Sequence, residues 1–417
     1  MQCEPRDEPR GWSVELVGFR VRRMFSAVLR RLLLMVSTPG MTSADRPKDL
    51  KGAALPGRGS RLRRTMFRVV LPLGAFFVAL LMAEGALRAR AWWKGWTQNC
   101  YAPQLTLYRD DPQLGFGGLK PGYRFRSATT SIGVNSLGFR GPEIESPKRA
   151  GVFRIFLVGG SSVFGYLVSD EDTSSVRLER YLRARVKRPI VEVVNAGVPA
   201  YNTMHDLVRF WYQIRLLEPD LVVYYQGYND LGYITRMGHG GESPAVFGGL
   251  GGPSGCEELL AQSALYGFLR FRVGLFNRGS AGPAVRLADA PGAQGLAVYE
   301  QNLRLFAEAV GLSGARLVVC SQAIRGGDEI GGVGQDFAGG SHFGLSAKGF
   351  SEAVRRLREI QRNVAGDKGL PFVDLYAAIP PTDEYFGDEV HLSVRGEERL
   401  AEVLGAALLE NALIQTR

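Results

Sequence analysis

Downstream of residue 150 the chain repeats one pattern: a short apolar run, then small or polar residues. Arg154–Val158 runs into Gly159-Gly160-Ser161, Ile190–Val194 into Asn195-Ala196-Gly197, and Leu221–Tyr225 into Gln226-Gly227-Tyr228-Asn229. Arg316–Cys320 precedes Ser321, and Phe372–Leu375 precedes a proline-containing loop. Runs this short and this continuously apolar read as strands buried on both faces. Between them apolar residues recur at helical spacing: Met204, Leu207, Val208 and Trp211; Leu303, Phe306, Ala307 and Val310; Phe350, Val354 and Leu357; and a last amphipathic stretch over 397–409. Strands alternating with helices predict a parallel five-stranded sheet in a three-layer α/β/α domain over 151–412.

Three regions depart from this pattern. Residues 98–150 are loop-rich, with turn signals at Asp110-Asp111-Pro112 and Lys120-Pro121-Gly122. The stretches 238–255 and 326–340 are too rich in glycine to hold a helix or strand for long, and read as insertions in the domain. Further upstream, 66–88 holds an uncharged core from Val69 to Ala83, with Arg68 and Glu84 at its margins and Trp92, Trp93 and Trp96 just beyond. With its flanks it reaches the ~20 residues needed to cross a bilayer, and the tryptophans suit an interfacial belt. A single transmembrane anchor is expected, with a buried helix or a cleaved signal peptide as the alternatives.

Charge sharpens this picture. The formal net charge is +10, but residues 1–65 carry 14 Lys and Arg against 6 Asp and Glu, so the basicity belongs to the tail. That tail is broken by Pro and Gly and is expected to be disordered. The body lacks the basic–aromatic interleaving of a nucleic-acid surface, which argues against nucleic-acid binding. Arg58, Arg61, Arg63 and Arg64 before the apolar segment point to a cytoplasmic N-terminus and an extracytoplasmic body at the cell membrane, on the periplasmic face. Four cysteines at 3, 100, 256 and 320 form no C-x-x-C pair, so neither a metal site nor a disulfide framework is expected, and no cofactor pattern is present.

The polar residues at the strand ends are where ligands bind in an open parallel sheet. Ser161 follows the first strand, Gly197 the second and Asn229 the third; Asp388 and His391 follow the last. A serine hydroxyl needs a base to act as a nucleophile at neutral pH. Of the four histidines, 205, 239, 342 and 391, only His391 has a carboxylate three residues upstream, able to fix its tautomer. Donors for an oxyanion could come from the N–H groups of Ser161 and Gly197 and the amide of Asn229. Ser162, next to Ser161, is expected to point away and cap the following turn.

These residues carry a resemblance. Gly159-Gly160-Ser161-Ser162-Val163-Phe164-Gly165 resembles the first block of the SGNH (GDSL-type) hydrolases, although Gly160 stands where that block often has Asp. Asn195-Ala196-Gly197, Gly227-Tyr228-Asn229-Asp230 and Asp388-Glu389-Val390-His391 resemble the later blocks, in the family's order, and Asn135–Arg140 is similar to the lead-in of membrane-anchored bacterial members. The resemblance implies a flavodoxin-like SGNH domain with Ser161 as nucleophile, His391 as base, Asp388 as its orienting acid, and Ser161, Gly197 and Asn229 around the oxyanion. It implies a serine esterase acting through an acyl-enzyme on O-acyl, above all O-acetyl, groups of an envelope glycan or lipid. Two other functions stay open: O-acetyl transfer to a polysaccharide hydroxyl, and glycan binding without catalysis. The His-Trp pair associated with polysaccharide acetylators is absent, since Leu392 follows His391, and this favours hydrolysis. Protein partners are not legible in the sequence.

Overall fold

The computed structural model describes residues 58–101, 106–235, 256–273, 287–325 and 343–414. The expected tail up to residue 57 and both glycine-rich stretches lie outside the described residues. The chain forms two compact units, one of Met1–Ala83 with Leu269–Leu275 and one of Glu84–Phe268 with Phe276–Arg417.

The described part of the first unit is dominated by helix α1 (Arg58–Trp93), which continues into the second. From Phe67 to Met82 its large apolar side chains, Leu80 excepted, are more than half exposed, and Phe67–Trp93 is long and apolar enough to cross a membrane.

The second unit is built on a parallel sheet of β5 (Val152–Gly159), β6 (Ile190–Gly197), β7 (Leu221–Tyr225), β8 (Arg316–Cys320) and β9 (Phe372–Val373), in the order β6-β5-β7-β8-β9. Every predicted strand is present. Alternate residues feed the two faces. Ile155, Leu157, Val191, Val193, Leu221 and Val223 pack beneath α2 (Ser174–Arg183) and α6 (Val394–Glu410). Phe156, Val158, Val194, Val222 and Tyr224 pack against α3 (Thr203–Tyr212), α4 (Ala293–Leu312) and α5 (Ala347–Asp367). Burial on both faces is why these strands are apolar throughout. Each such side chain contributes roughly 1.5–3 kcal/mol.

The strand order reverses at β5, flanked by β6 and β7, and a ligand crevice belongs at that switch point. Register makes the rim level: Gly159 pairs with both Gly197 and Tyr225, and Tyr225 with Cys320.

The lead-in is more ordered than its turn signals suggest. β1 (Tyr108–Asp111) pairs antiparallel with β2 (Phe116–Leu119), and β3 (Arg124–Arg126) with β4 (Ser131–Gly133). These ribbons pack on the rim. The Tyr108 hydroxyl donates to the Pro199 carbonyl at 3.1 Å, and the Tyr201 hydroxyl to that of Gly117 at 3.0 Å. Arg140 is buried with its guanidinium donating to the carbonyls of Phe164 (2.6 Å), Gly165 (2.7 Å) and Val168 (2.8 Å) and to Asp170 (2.8 Å).

Candidate active site

β5 ends at Gly159, and Ser161–Phe164 form a single helical turn directly above it. Gly165 closes that turn in the left-handed region (φ 79°) and donates its N–H to the Ser161 carbonyl at 3.0 Å. A side chain would be strained there, which accounts for a glycine four residues after the serine.

Ser161 Oγ lies 2.7 Å from His391 Nε2, and His391 Nδ1 lies 2.7 Å from Asp388 Oδ2. Ser161 and His391, 230 positions apart in sequence, meet here because the loop after β9 folds over the rim. Asp388 also accepts the backbone N–H groups of Val390 (2.9 Å) and His391 (2.8 Å) through Oδ1, and the Gly387 N–H closes the loop onto the His391 carbonyl at 2.9 Å. Partial burial opposes the charge on Asp388. The hydrogen bonds from the His391 imidazole and the two N–H groups outweigh it and hold this carboxyl below its ordinary value. An ionised Asp388 requires the proton on His391 Nδ1, leaving Nε2 with its lone pair toward Ser161. The ring of Tyr166 lies alongside the imidazole.

The other described histidine, His205, makes no contact with Ser161 or Asp388. It is buried in the capping box of α3, 2.7 Å from Asn202 Oδ1, and stacks on Tyr201. Burial pushes its pKa down to about 4. His239 and His342 lie outside the described residues.

The expected oxyanion donors fare differently. The Ser161 N–H makes no hydrogen bond to the described residues. Asn229 reaches the rim beside Gly160, where its Nδ2 donates to the Tyr201 carbonyl at 2.7 Å and keeps a second hydrogen. Gly197 does not supply a free donor, since its N–H is taken by its neighbour Asn195 Oδ1 at 3.0 Å. It is a glycine for space: a β-carbon would collide with the backbone of Val163 and Phe164. Further along the same loop, Ala200 is held at φ 68°, and its N–H makes no hydrogen bond to the described residues. Nothing in the run Gly197-Val198-Pro199-Ala200 announces that conformation.

Ser162 also differs from expectation. It is buried and caps nothing; its hydroxyl crosses to the Val390 carbonyl at 3.0 Å. Among the described residues no cluster of His, Cys, Asp and Glu is suited to hold a metal ion.

Residues 157–399 match the model of the GDSL-like Lipase/Acylhydrolase family. No curated protein matches the chain. Among solved structures, the chain is similar to the lipase/acylhydrolase from Enterococcus faecalis (19% identity, 64% of this chain and 98% of that one, TM-score 0.39). It is similar too to an acetylxylan esterase from Geobacillus stearothermophilus (14% identity, 64% and 97%, TM-score 0.37).

Proposed function

Because the chain belongs to the GDSL-like lipase/acylhydrolase family of ester-hydrolysing enzymes, we propose that it is a serine esterase working through an acyl-enzyme on Ser161. One observation carries the reading: the unbroken relay Asp388–His391–Ser161, with 2.7 Å at each side-chain contact. As Ser161 Oγ attacks the acyl carbon, its proton passes to His391 Nε2, and Asp388 stabilises the imidazolium. His391 returns the proton to the departing alkoxide as the C–O bond breaks. Water, deprotonated by the same nitrogen, then releases the acid. The carbonyl oxygen gains its negative charge against the Ser161 N–H and the free hydrogen of Asn229 Nδ2. Ala200, in place of Gly197, offers the third N–H.

The substrate class we favour is an O-acetylated glycan or lipid of the cell envelope, reached by a domain tethered to the membrane. The tether is supported by the exposed apolar length of α1 and by how firmly its far end is built into the second unit. Glu84 accepts the hydroxyl of Ser263 (2.9 Å) and the N–H groups of Ala264 (3.0 Å) and Leu265 (2.7 Å). Ala91 is buried with Cys100, Tyr101 and Ala264.

The test uses the detergent-solubilised full chain with acetylated glycans, with and without free sugar acceptors, alongside a fluorophosphonate probe. Probe labelling with acetate release to water supports the reading. Acetate appearing only on added acceptors would replace hydrolysis by transfer, and an unlabelled, folded protein would remove the acyl-enzyme.

A further inference from the structure

We infer that Ser162 and Gln322 are positioning residues that set the distance between nucleophile and base; this rests on the esterase reading above. The two side chains form a directed hydrogen-bond relay beneath the site, joining loops that follow four strands. The Tyr228 N–H donates to Gln322 Oε1 at 2.8 Å, Gln322 Nε2 to Ser162 Oγ at 2.9 Å, and Ser162 Oγ to the Val390 carbonyl at 3.0 Å. Every link has one possible direction. A backbone N–H can only donate, so Gln322 must present its oxygen to Tyr228 and its amide hydrogens to Ser162. The hydroxyl, its lone pair engaged, then turns its own proton to Val390.

The end points give the relay its purpose. The Val390 carbonyl belongs to the same peptide group as the His391 N–H. That group is gripped from both sides, its C=O by Ser162 and its N–H by Asp388 at 2.8 Å. The imidazole therefore hangs from a plane fixed to the residue next to the nucleophile. At the other end, Tyr228 precedes Asn229, so the same relay fixes the loop that presents an oxyanion donor. A second tie runs parallel, from the Arg325 N–H to the Glu389 carbonyl at 2.8 Å. Ser162 and Gln322 are 2% and 6% exposed, so water has little access to replace a lost partner.

Neither residue touches the reacting atoms, and their loss should act on rate rather than on binding. A displacement of about 1 Å can cost on the order of 10²-fold in rate. We expect Ser162→Ala and Gln322→Leu each to lower kcat and the fluorophosphonate acylation rate roughly 10–100-fold, with KM within about twofold. Because the two act as one unit, the double variant should be little slower than either single one. Ser162→Thr, which keeps the hydroxyl, should recover much of the rate. Rates are read well below each variant's melting temperature. Wild-type acylation rates in both single variants, or additive losses in the double variant with no recovery in Ser162→Thr, would overturn the relay and leave the esterase reading intact. Failure of the unaltered protein to label or to turn over would overturn both.

Discussion

The ring of Tyr166 lies 5.2 Å from the ring of His391, tilted 32° to it, while the Tyr166 N–H reaches back to the Ser161 carbonyl at 3.3 Å. An aromatic face beside the imidazole favours its cationic form, which arises only as the serine proton is transferred. Such contacts are worth about 0.5–2 kcal/mol, up to roughly tenfold in rate. Tyr166→Leu should lower kcat several-fold, as measured with a soluble aryl ester.

Ser161→Ala should abolish fluorophosphonate labelling, and His391→Ala should reduce turnover by on the order of 10⁴-fold or more. His205→Gln should leave the chemistry close to wild type, because His205 serves the cap of α3. A larger loss from His205 than from His391 would show that the base has been misassigned.

The oxyanion donors can be separated. Asn229→Ala should retain some labelling while losing roughly 10²–10³ in kcat, the usual cost of one donor. Ala200→Gly relieves a left-handed residue of its β-carbon, worth about 1 kcal/mol. It should raise the melting temperature without lowering kcat. A substantial loss of activity in Ala200→Gly would argue that the alanine methyl, and not only its N–H, serves the site.

Asp206 gives a pH dependence with a definite sign. Burial pushes its pKa up to about 8, against a hydrogen bond from Gln226, with the nearby Asp230 adding to the rise. The folded state thus holds a proton that the unfolded chain releases near its ordinary pKa of about 3.9. The stability this confers is present at low pH and is lost as pH rises toward 8. Melting curves should show the protein weakening between pH 5 and 9 more steeply than Asp206→Asn, which has no proton to lose. Parallel curves for the two proteins would remove Asp206 from the pH response.

A topology reporter fused after Arg417 should read as extracytoplasmic. Removing residues 1–83 should release a soluble protein that melts higher than one lacking 1–97, because the longer deletion discards Glu84 and Ala91 from their partners. Equal melting temperatures would mean that this end of α1 adds nothing to the fold.

Strands and helices were legible because burial on two faces leaves an unbroken apolar signature; Asp388 and His391 were legible from their three-residue spacing and Ser161 from the Gly-Gly-Ser run at a strand end. Gly197 shows where such reading misleads. A glycine at a strand end fits an oxyanion donor, but it fits equally a backbone packed against Phe164, and only the tertiary arrangement separates the two. Gln322 sat at a strand end in plain view, yet its meaning depends on Ser162, 160 residues away. The left-handed Ala200 had no signal, since alanine, unlike glycine or asparagine, seldom adopts that conformation.

Arg140 changes where the enzyme can be said to begin. The family match starts at residue 157, but the carbonyls of Phe164, Gly165 and Val168 all depend on a guanidinium from well upstream of it. A fragment cut at residue 150 would contain Ser161, Asp388 and His391 and still strip the Arg140 guanidinium from three carbonyls beside the Ser161 turn, Phe164 keeping only a long hydrogen bond from Asn195 Nδ2 at 3.4 Å. The smallest self-sufficient catalytic unit therefore reaches upstream of the family match at least to Arg140, and the end of the lead-in is part of the enzyme's own foundation.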